Sequence, residues 1–446
     1  MMTRKRTADW EKDFYKNGYP KEVIVIEDSP TPSPPSPAHY ANAPYTSTFS
    51  SHVTRKRQAE QLPVITKRTK LETMHTDPIF AFHVLPTPTI AYTFQMPPPI
   101  ILQPPPMPPV YDDKDGHYLV RLNESLTPQY KIMRLLGQGT FGKVVECYDR
   151  VRRTFCAIKI IRAIPKYRDA SKIEIRVLNT LKKHDPLNLN KCIHLVEWFD
   201  YQNHICMVFE LLGQSVFDFL KANHFKPFPH HHIQQLAKQL LTSVAFLHDL
   251  KLIHTDLKPE NILLVNRGSN TLDENTDIRL IDFGSATFEQ EYHSAIVSTR
   301  HYRAPEIIMG LGWSYPCDMW SMGCILIEFF IGDALFQTHD NLEHLAMMES
   351  VLGPIPTHMV TRASKEAQKL FEKDSKKLNY PLPKTSRQSK RLVSGLKPLD
   401  QIVPPVTTFN KHLNDLLKRL LVYEPSARIS AREALRHPFF QNQCMD

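Results

Sequence analysis

The sequence predicts an α+β protein of two lobes, the first rich in strands and the second in helices, behind a disordered N-terminal leader. Three observations carry that prediction. Proline is concentrated at the start: 19 of the 36 prolines fall in residues 1–110, a stretch with a single glycine, Gly18. Between Tyr130 and Leu212, short runs rich in Ile, Val, Phe and Cys alternate with turns. Beyond Phe228 the apolar spacing becomes helical. Strands followed by helices in this way form two packed parts with a cleft between them.

Proline at the leader's density removes backbone donors and fixes φ, so residues 1–110 cannot build a packed domain. Ser29-Pro-Thr-Pro-Ser-Pro-Pro-Ser-Pro37 and the run from Pro97 to Pro109 read as extended polyproline. They are open to proline-motif-binding partners, or act as a plain solvated spacer. Ser29, Thr31, Ser33 and Ser36 each precede a proline, the pattern of proline-directed phosphorylation. Arg4-Lys5-Arg6, Arg55-Lys56-Arg57 and Lys67-Arg68-Thr69-Lys70 are basic clusters, the last two spaced as a two-part nuclear import signal. The expected location is therefore the nucleus, with the cytoplasm as the alternative.

Charge and cysteine usage bound the setting. The net charge is +9, from 55 Lys and Arg against 46 Asp and Glu, and the leader holds +3 of it. The remainder is diluted over a globular part of about 330 residues, and no aromatic–basic RNA-recognition motif appears. No direct nucleic-acid binding is expected. The 7 cysteines are scattered without a CxxC pair, which disfavours a disulfide framework and a zinc site. Met1–Lys16 is too polar for a secretory signal. The most apolar run, Met319–Ile331, falls short of the ~20 residues of a membrane span and contains Glu328. A soluble, intracellular protein without a membrane partner is expected.

The elements follow in order. Tyr130–Gly137, Lys143–Tyr148 and Thr154–Ile161 read as strands around a glycine turn. Ala170–Lys183 reads as a helix with Ile173, Val177, Leu178 and Leu181 on one face. Ile193–Phe199 and Ile205–Leu212 are further strands, and Ile233–Leu247, Met319–Ile331 and Leu413–Leu421 are the clearest helices. Ser364–Arg391 is strongly basic and reads as a solvated insert face or a dock for an acidic partner.

Four motifs carry chemistry. Gly137-Gln-Gly139-Thr-Phe-Gly142-Lys-Val144 lies between two strands, which argues against a dinucleotide-binding fold and fits a hairpin closing over nucleotide phosphates. Cys156-Ala-Ile-Lys159 places a lysine in an apolar strand, where charge needs a partner. Glu174 on the next helix is the candidate partner, unless the lysine simply snorkels to solvent. His254-Thr-Asp-Leu-Lys-Pro-Glu-Asn261 and Asp282-Phe-Gly284 supply the rest of a phosphoryl-transfer site. Asp256 would accept the proton of a substrate hydroxyl and Lys258 would neutralise the moving phosphoryl. Asn261 and Asp282 would offer Mg²⁺ the hard oxygen ligands it prefers.

In this order the motifs resemble those of eukaryotic protein kinases, over roughly residues 130–440. Ala304-Pro-Glu306 is similar to the end of the activation segment, Asp318-Met-Trp-Ser-Met-Gly323 to the buried central helix, and Arg428 to the arginine that pairs with Glu306. The resemblance implies the bilobal kinase fold, with ATP and Mg²⁺ as cofactors. It implies Phe209 as gatekeeper, the backbone of Glu210 and Leu212 reading adenine, and Leu136, Val144, Ala157 and Leu263 sandwiching the base. Glu343-His-Leu-Ala-Met-Met-Glu349, followed by Leu352-Gly-Pro-Ile-Pro356, resembles the signature of the LAMMER (Clk-type) dual-specificity kinases of the CMGC group. His254-Thr-Asp256, Asp282-Phe-Gly-Ser-Ala286, Val297-Ser-Thr-Arg-His-Tyr-Arg-Ala-Pro-Glu306 and Asp112-Asp-Lys-Asp-Gly-His117 are similar to that group too. The expected organisation is leader 1–110, family-like lead-in 111–129, kinase domain 130–440 and tail 441–446.

Two departures stand out: Ser350 occupies the place of the signature's arginine, and the leader is Pro-rich where many members carry Arg-Ser repeats. The resemblance implies Ser and Thr substrates in basic, Arg/Ser-rich proteins such as splicing factors, with Tyr used chiefly in autophosphorylation. Glu260 and Asp218 are the candidate carboxylates for such basic substrates. Thr255 stands where most kinases have an arginine that clamps a loop phosphate, so activity without obligatory loop phosphorylation is expected. Ser285, Thr287, Tyr292, Ser294 and Ser298 are candidate autophosphorylation sites, and Thr299 is expected to support Asp256 and Lys258. The rival reading is a pseudokinase scaffold. Such proteins usually lack one of the lysine or aspartates, whereas Lys159, Asp256, Asn261 and Asp282 are all present.

Overall fold

Branched and aromatic residues in alternation build five antiparallel strands: Tyr130–Gly139 (β1), Gly142–Asp149 (β2), Thr154–Ile161 (β3), Leu195–Tyr201 (β4) and His204–Glu210 (β5). They form one sheet in the order β1-β2-β3-β5-β4. The computed structural model describes residues 111–267 and 276–441, with a short strand pair, Tyr15–Lys16 against Tyr19–Pro20. The polyproline tracts, the three basic clusters and residues 442–446 lie outside the described residues.

Strand period decides what the sheet does. Directly paired residues share a face, so the register Val145↔Ile158, Cys147↔Cys156 and Ile160↔Cys206 gathers one buried apolar face. Tyr118 and Leu126 of the lead-in pack into that cluster. The lead-in is further tied down by Lys143 Nζ donating to Tyr118 O at 3.0 Å and by the contact of His204 Nε2 with Asp112 Oδ1 at 2.6 Å. The register Val144↔Lys159 and Ala157↔Phe209 then places Val144, Ala157, Lys159 and Phe209 together on the opposite face.

Helix α1, Pro165–His184, begins five residues before the expected start. Pro165 at the first helical position costs no donor and presets φ, a start signal independent of the apolar stripe. Its buried face carries Glu174, Ile175, Val177, Leu178 and Leu181, so Ile175 takes the place expected of Ile173, which is only half-buried.

The second lobe holds α2 (Val216–Ala222), α3 (His230–Asp249), α4 (Pro305–Ile308), α5 (Pro316–Ile331) and α6 (Asn341–Leu352), followed by shorter helices and Thr408–Leu420. Helix α5 is largely apolar on every side, with Asp318, Ser321 and Glu328 as its buried polar exceptions, because it is enclosed all round: 13 of its 16 residues are buried. Gly332 ends it at φ +84°, and a Cβ there would lie 1.9 Å from Phe225 O. Four short strands, Leu252–Ile253 (β6), Ile262–Leu264 (β7), Ile278–Leu280 (β8) and Thr287–Phe288 (β9), pair as β6–β9 and β7–β8 and carry the loops of the site. The helix bearing the signature, α6, buries His344, Leu345, Met347 and Met348, while Ser350 donates to Ala346 O of its own helix at 3.0 Å.

Candidate active site

The glycine hairpin joins β1 to β2. Gly142 is forced to be glycine, because a Cβ there would sit 2.1 Å from Ile160 O, whereas Gly137 and Gly139 face open space. Behind the hairpin a small pocket is lined by Phe141, Lys159, Tyr167, Ala170, Glu174 and Asp282.

Lys159 is paired rather than snorkelling. Its Nζ donates to Glu174 Oε1 and Oε2 at 2.8 and 3.0 Å and to Asp282 Oδ1 at 3.2 Å. Burial by itself lowers the lysine pKa, but the charges of Asp282 and Glu174 outweigh it and raise it. The Lys159 ammonium in turn lowers the Asp282 pKa against its burial. Asp282 sits at φ +62°, a conformation aspartate tolerates, and Gly284 leaves room beside both carboxylates.

A second cluster surrounds Asp256. Its Oδ1 accepts from Thr299 Oγ1 at 2.7 Å and Thr299 N at 2.8 Å, and its Oδ2 from Lys258 Nζ at 2.7 Å. Lys258 also donates to Thr299 Oγ1 at 3.0 Å. Burial would raise the Asp256 pKa, but the Lys258 charge and these hydrogen bonds prevail and lower it. Asn261 donates its amide nitrogen to Asp256 O at 2.9 Å, leaving the amide oxygen as its free acceptor group.

The loop that carries Asp256 is hung from α5. Asp318, fully buried, accepts from His254 N at 2.9 Å and Thr255 N at 2.8 Å. This offsets the strain of Thr255, a β-branched residue at φ +68°. The His254 ring is fixed on both sides: Nδ1 accepts from Asp256 N at 3.2 Å, so Nε2 carries the proton toward Ile281 O, also at 3.2 Å. Farther off, Arg428 meets Glu306 through two bonds of 2.8 and 3.0 Å, both side chains buried.

Of the residues expected to surround a base, Phe209 is buried, Val144, Ala157, Leu212 and Leu263 are half-buried and Leu136 is exposed. Glu210 pairs with Arg279 at 3.3 Å.

A protein kinase domain family model matches residues 130–440. The chain belongs to the protein kinase family. Dual specificity protein kinase lkh1 of Schizosaccharomyces pombe is 56% identical over 344 residues, covering 75% of this chain and 50% of that protein. Serine/threonine-protein kinase AFC1 of Arabidopsis thaliana is 52% identical over 349 residues, covering 74% of each. Dual specificity protein kinase CLK2 of Mus musculus is 47% identical over 343 residues, covering 74% of this chain and 68% of the relative. A crystal structure of a kinase domain superposes with a TM-score of 0.68 at 36% identity, covering 74% of this chain and all (100%) of that one. With these relatives the kinase is of the LAMMER, or Clk, type.

The structure also gives an acid near Glu260 a setting that sequence reasoning passed over. Glu328, read from sequence only as a charge interrupting an apolar run, lies buried with Tyr302 Oη donating to its Oε2 at 2.7 Å. Burial pushes its carboxyl up to about 8, the Tyr302 bond opposes this, and the neighbouring Glu260 charge adds to the rise. Glu260 Oε2 is itself buried with no hydrogen-bond partner among the described residues. Asp218 is exposed and engaged with Ser215 at the start of α2, accepting from its hydroxyl at 2.7 Å. Ser298 is buried, with its hydroxyl donating to Thr255 O, while Tyr292 is 55% exposed.

Proposed function

We propose that this kinase transfers the γ-phosphate of Mg-ATP to Ser and Thr of basic, Arg/Ser-rich proteins such as splicing factors, and to Tyr chiefly in autophosphorylation. The observation that carries the reading is the Asp256 carboxylate, ionised and held on both oxygens by Thr299 and Lys258. Such a carboxylate can orient a substrate hydroxyl and receive its proton as the phosphoryl departs.

The residues present fit Mg-ATP. Gly142 lets the hairpin close tightly, and the open Cβ positions of Gly137 and Gly139 allow backbone N–H groups to approach phosphate. Lys159, already charged by its two carboxylates, would hold the α- and β-phosphates. Asn261 and Asp282 form an oxygen pair of the kind Mg²⁺ accepts alongside substrate phosphates. Mg²⁺, when bound, supplies charge neutralisation at the transferring group. Lys258 would steady the moving phosphoryl from the other side. Phe209, Val144 and Ala157, on one sheet face, give an apolar seat for adenine, with Leu136 and Leu263 closing it and the backbone of Glu210 and Leu212 at its edge.

The preference for arginine is supported by Glu260, whose buried Oε2 has no hydrogen-bond partner among the described residues and would gain one from a guanidinium. Transfer to an Arg-Ser peptide is expected to exceed transfer to its Arg→Ala counterpart by about tenfold or more in kcat/KM, and Glu260→Gln to erase most of that gap. An unchanged preference in Glu260→Gln would overturn the assignment. The basic pair Arg55–Arg57 and Lys67–Lys70 is proposed to direct the kinase to the nucleus, and the polyproline tracts to bind proline-motif partners.

A further inference from the structure

Thr255 replaces the arginine that would hold a phosphorylated loop, yet the activation segment from Asp282 to Glu306 is pinned at several points. At its start Thr255 Oγ1 donates to Ser285 O at 3.0 Å, and at its end Ser298 donates to Thr255 O. In between, β9 pairs with β6, the strand that leads into His254. Just past β9, Glu291 N donates to Phe288 O at 3.0 Å, and the Glu291 carboxylate pairs with Arg176. Arg176 stands on α1, two residues after Glu174, and its guanidinium carbon lies 4.5 Å from the Phe288 ring centroid.

We propose that Arg176 and Glu291 are a positioning pair that does the work of a loop phosphate: Glu291 supplies the anion, Arg176 receives it, and Phe288 braces the guanidinium. The proposal rests on the kinase reading and names how its unphosphorylated form is kept in order. The connection runs from the strand before the catalytic loop, through Phe288 and Glu291, to Arg176 and along α1 to Glu174 and Lys159. Sliding α1 far enough to part Glu174 from Lys159 requires breaking the Arg176–Glu291 pair as well. The pair is built to resist that. Its side chains are 23% and 13% exposed, against 57% and 51% for the surface pair Arg419–Asp415, so solvent screens it far less. Cation–π contact adds to the ion pair and holds the guanidinium fork in one orientation.

The test uses the full-length, unphosphorylated enzyme with Arg176→Gln, Glu291→Gln and the double exchange Arg176→Glu/Glu291→Arg. Each single variant is expected to lower kcat about tenfold with peptide KM changed less than about twofold, and the exchange to recover to within about threefold of wild type. Hydrogen exchange of amides 286–295 should quicken in the singles and slow again in the exchange variant. Singles with unchanged kcat and exchange rates, or an exchange variant no better than the singles, would overturn the proposal. Asp256→Asn, run alongside, separates the two readings: signal equal to wild type there removes the catalytic role given to Asp256, while the hydrogen-exchange arm still judges the pair.

Discussion

Arg428 and Glu306 meet in the helical lobe with side chains 0% and 1% exposed, and the arginine's remaining donors go to Val422 O and Pro316 O. Lys159, between the glycine hairpin and α1, divides its ammonium between Glu174 and Asp282, with side chains 17%, 6% and 33% exposed. Both are buried groups of opposite charge at hydrogen-bond distance, and they are finished differently. The first is closed, every group answered by the protein in a bidentate fork. The second is left open on the Asp282 side, where the charges of Asp256 and Lys258 lie close enough to act on it and Asn261 keeps a spare amide oxygen. The closed cluster holds the fold, and the open one is arranged for ligands that bring their own charge.

That contrast can be broken or sharpened. Glu306→Ala would leave the Arg428 guanidinium buried without its counter-ion, a loss of about 3–5 kcal/mol. Urea unfolding should register it, and a midpoint within error of wild type would show the closed pair to be dispensable. A pH-dependent effect separates Glu328 from both clusters. Its folded pKa of about 8 lies above the ordinary 4.5, so between these values the native state keeps a proton that the unfolded chain releases. Stability therefore falls as pH rises through that window. Glu328→Gln removes this slope, and its melting temperature relative to wild type should increase from about pH 5 to about pH 8. A constant difference would mean that the carboxyl titrates normally.

Much of this was legible in the sequence, for identifiable reasons. β3 was read to its ends, Thr154–Ile161, because turns bracket a branched apolar run. The Lys159–Glu174 pair followed from the cost of a charge in such a strand, and the Thr299 contacts with Asp256 and Lys258 formed as expected. The first turn of α1 escaped because Pro-Lys-Tyr-Arg-Asp has no apolar stripe and its start signal is proline itself. Ile173 and Ile175 exchanged roles because a stripe two residues wide leaves its phase undecided until the helix docks. Two long-range links were invisible: Asp318 beneath His254 and Thr255, and Glu291 on Arg176, join residues 63 to 115 positions apart. Neither periodicity nor local motif reports such a pairing; the second carries the only signal available beforehand, an arginine at the half-buried edge of a helix that needed a counter-charge.

The central claim is that the open cluster performs phosphoryl transfer and contributes little to holding the fold. Phosphate transfer from ATP to an Arg-Ser peptide by Asp256→Asn, with the melting temperature recorded on the same sample, tests it most directly. The account predicts a rate lower by about a thousandfold or more with melting within a few degrees of wild type. Transfer at the wild-type rate would contradict it.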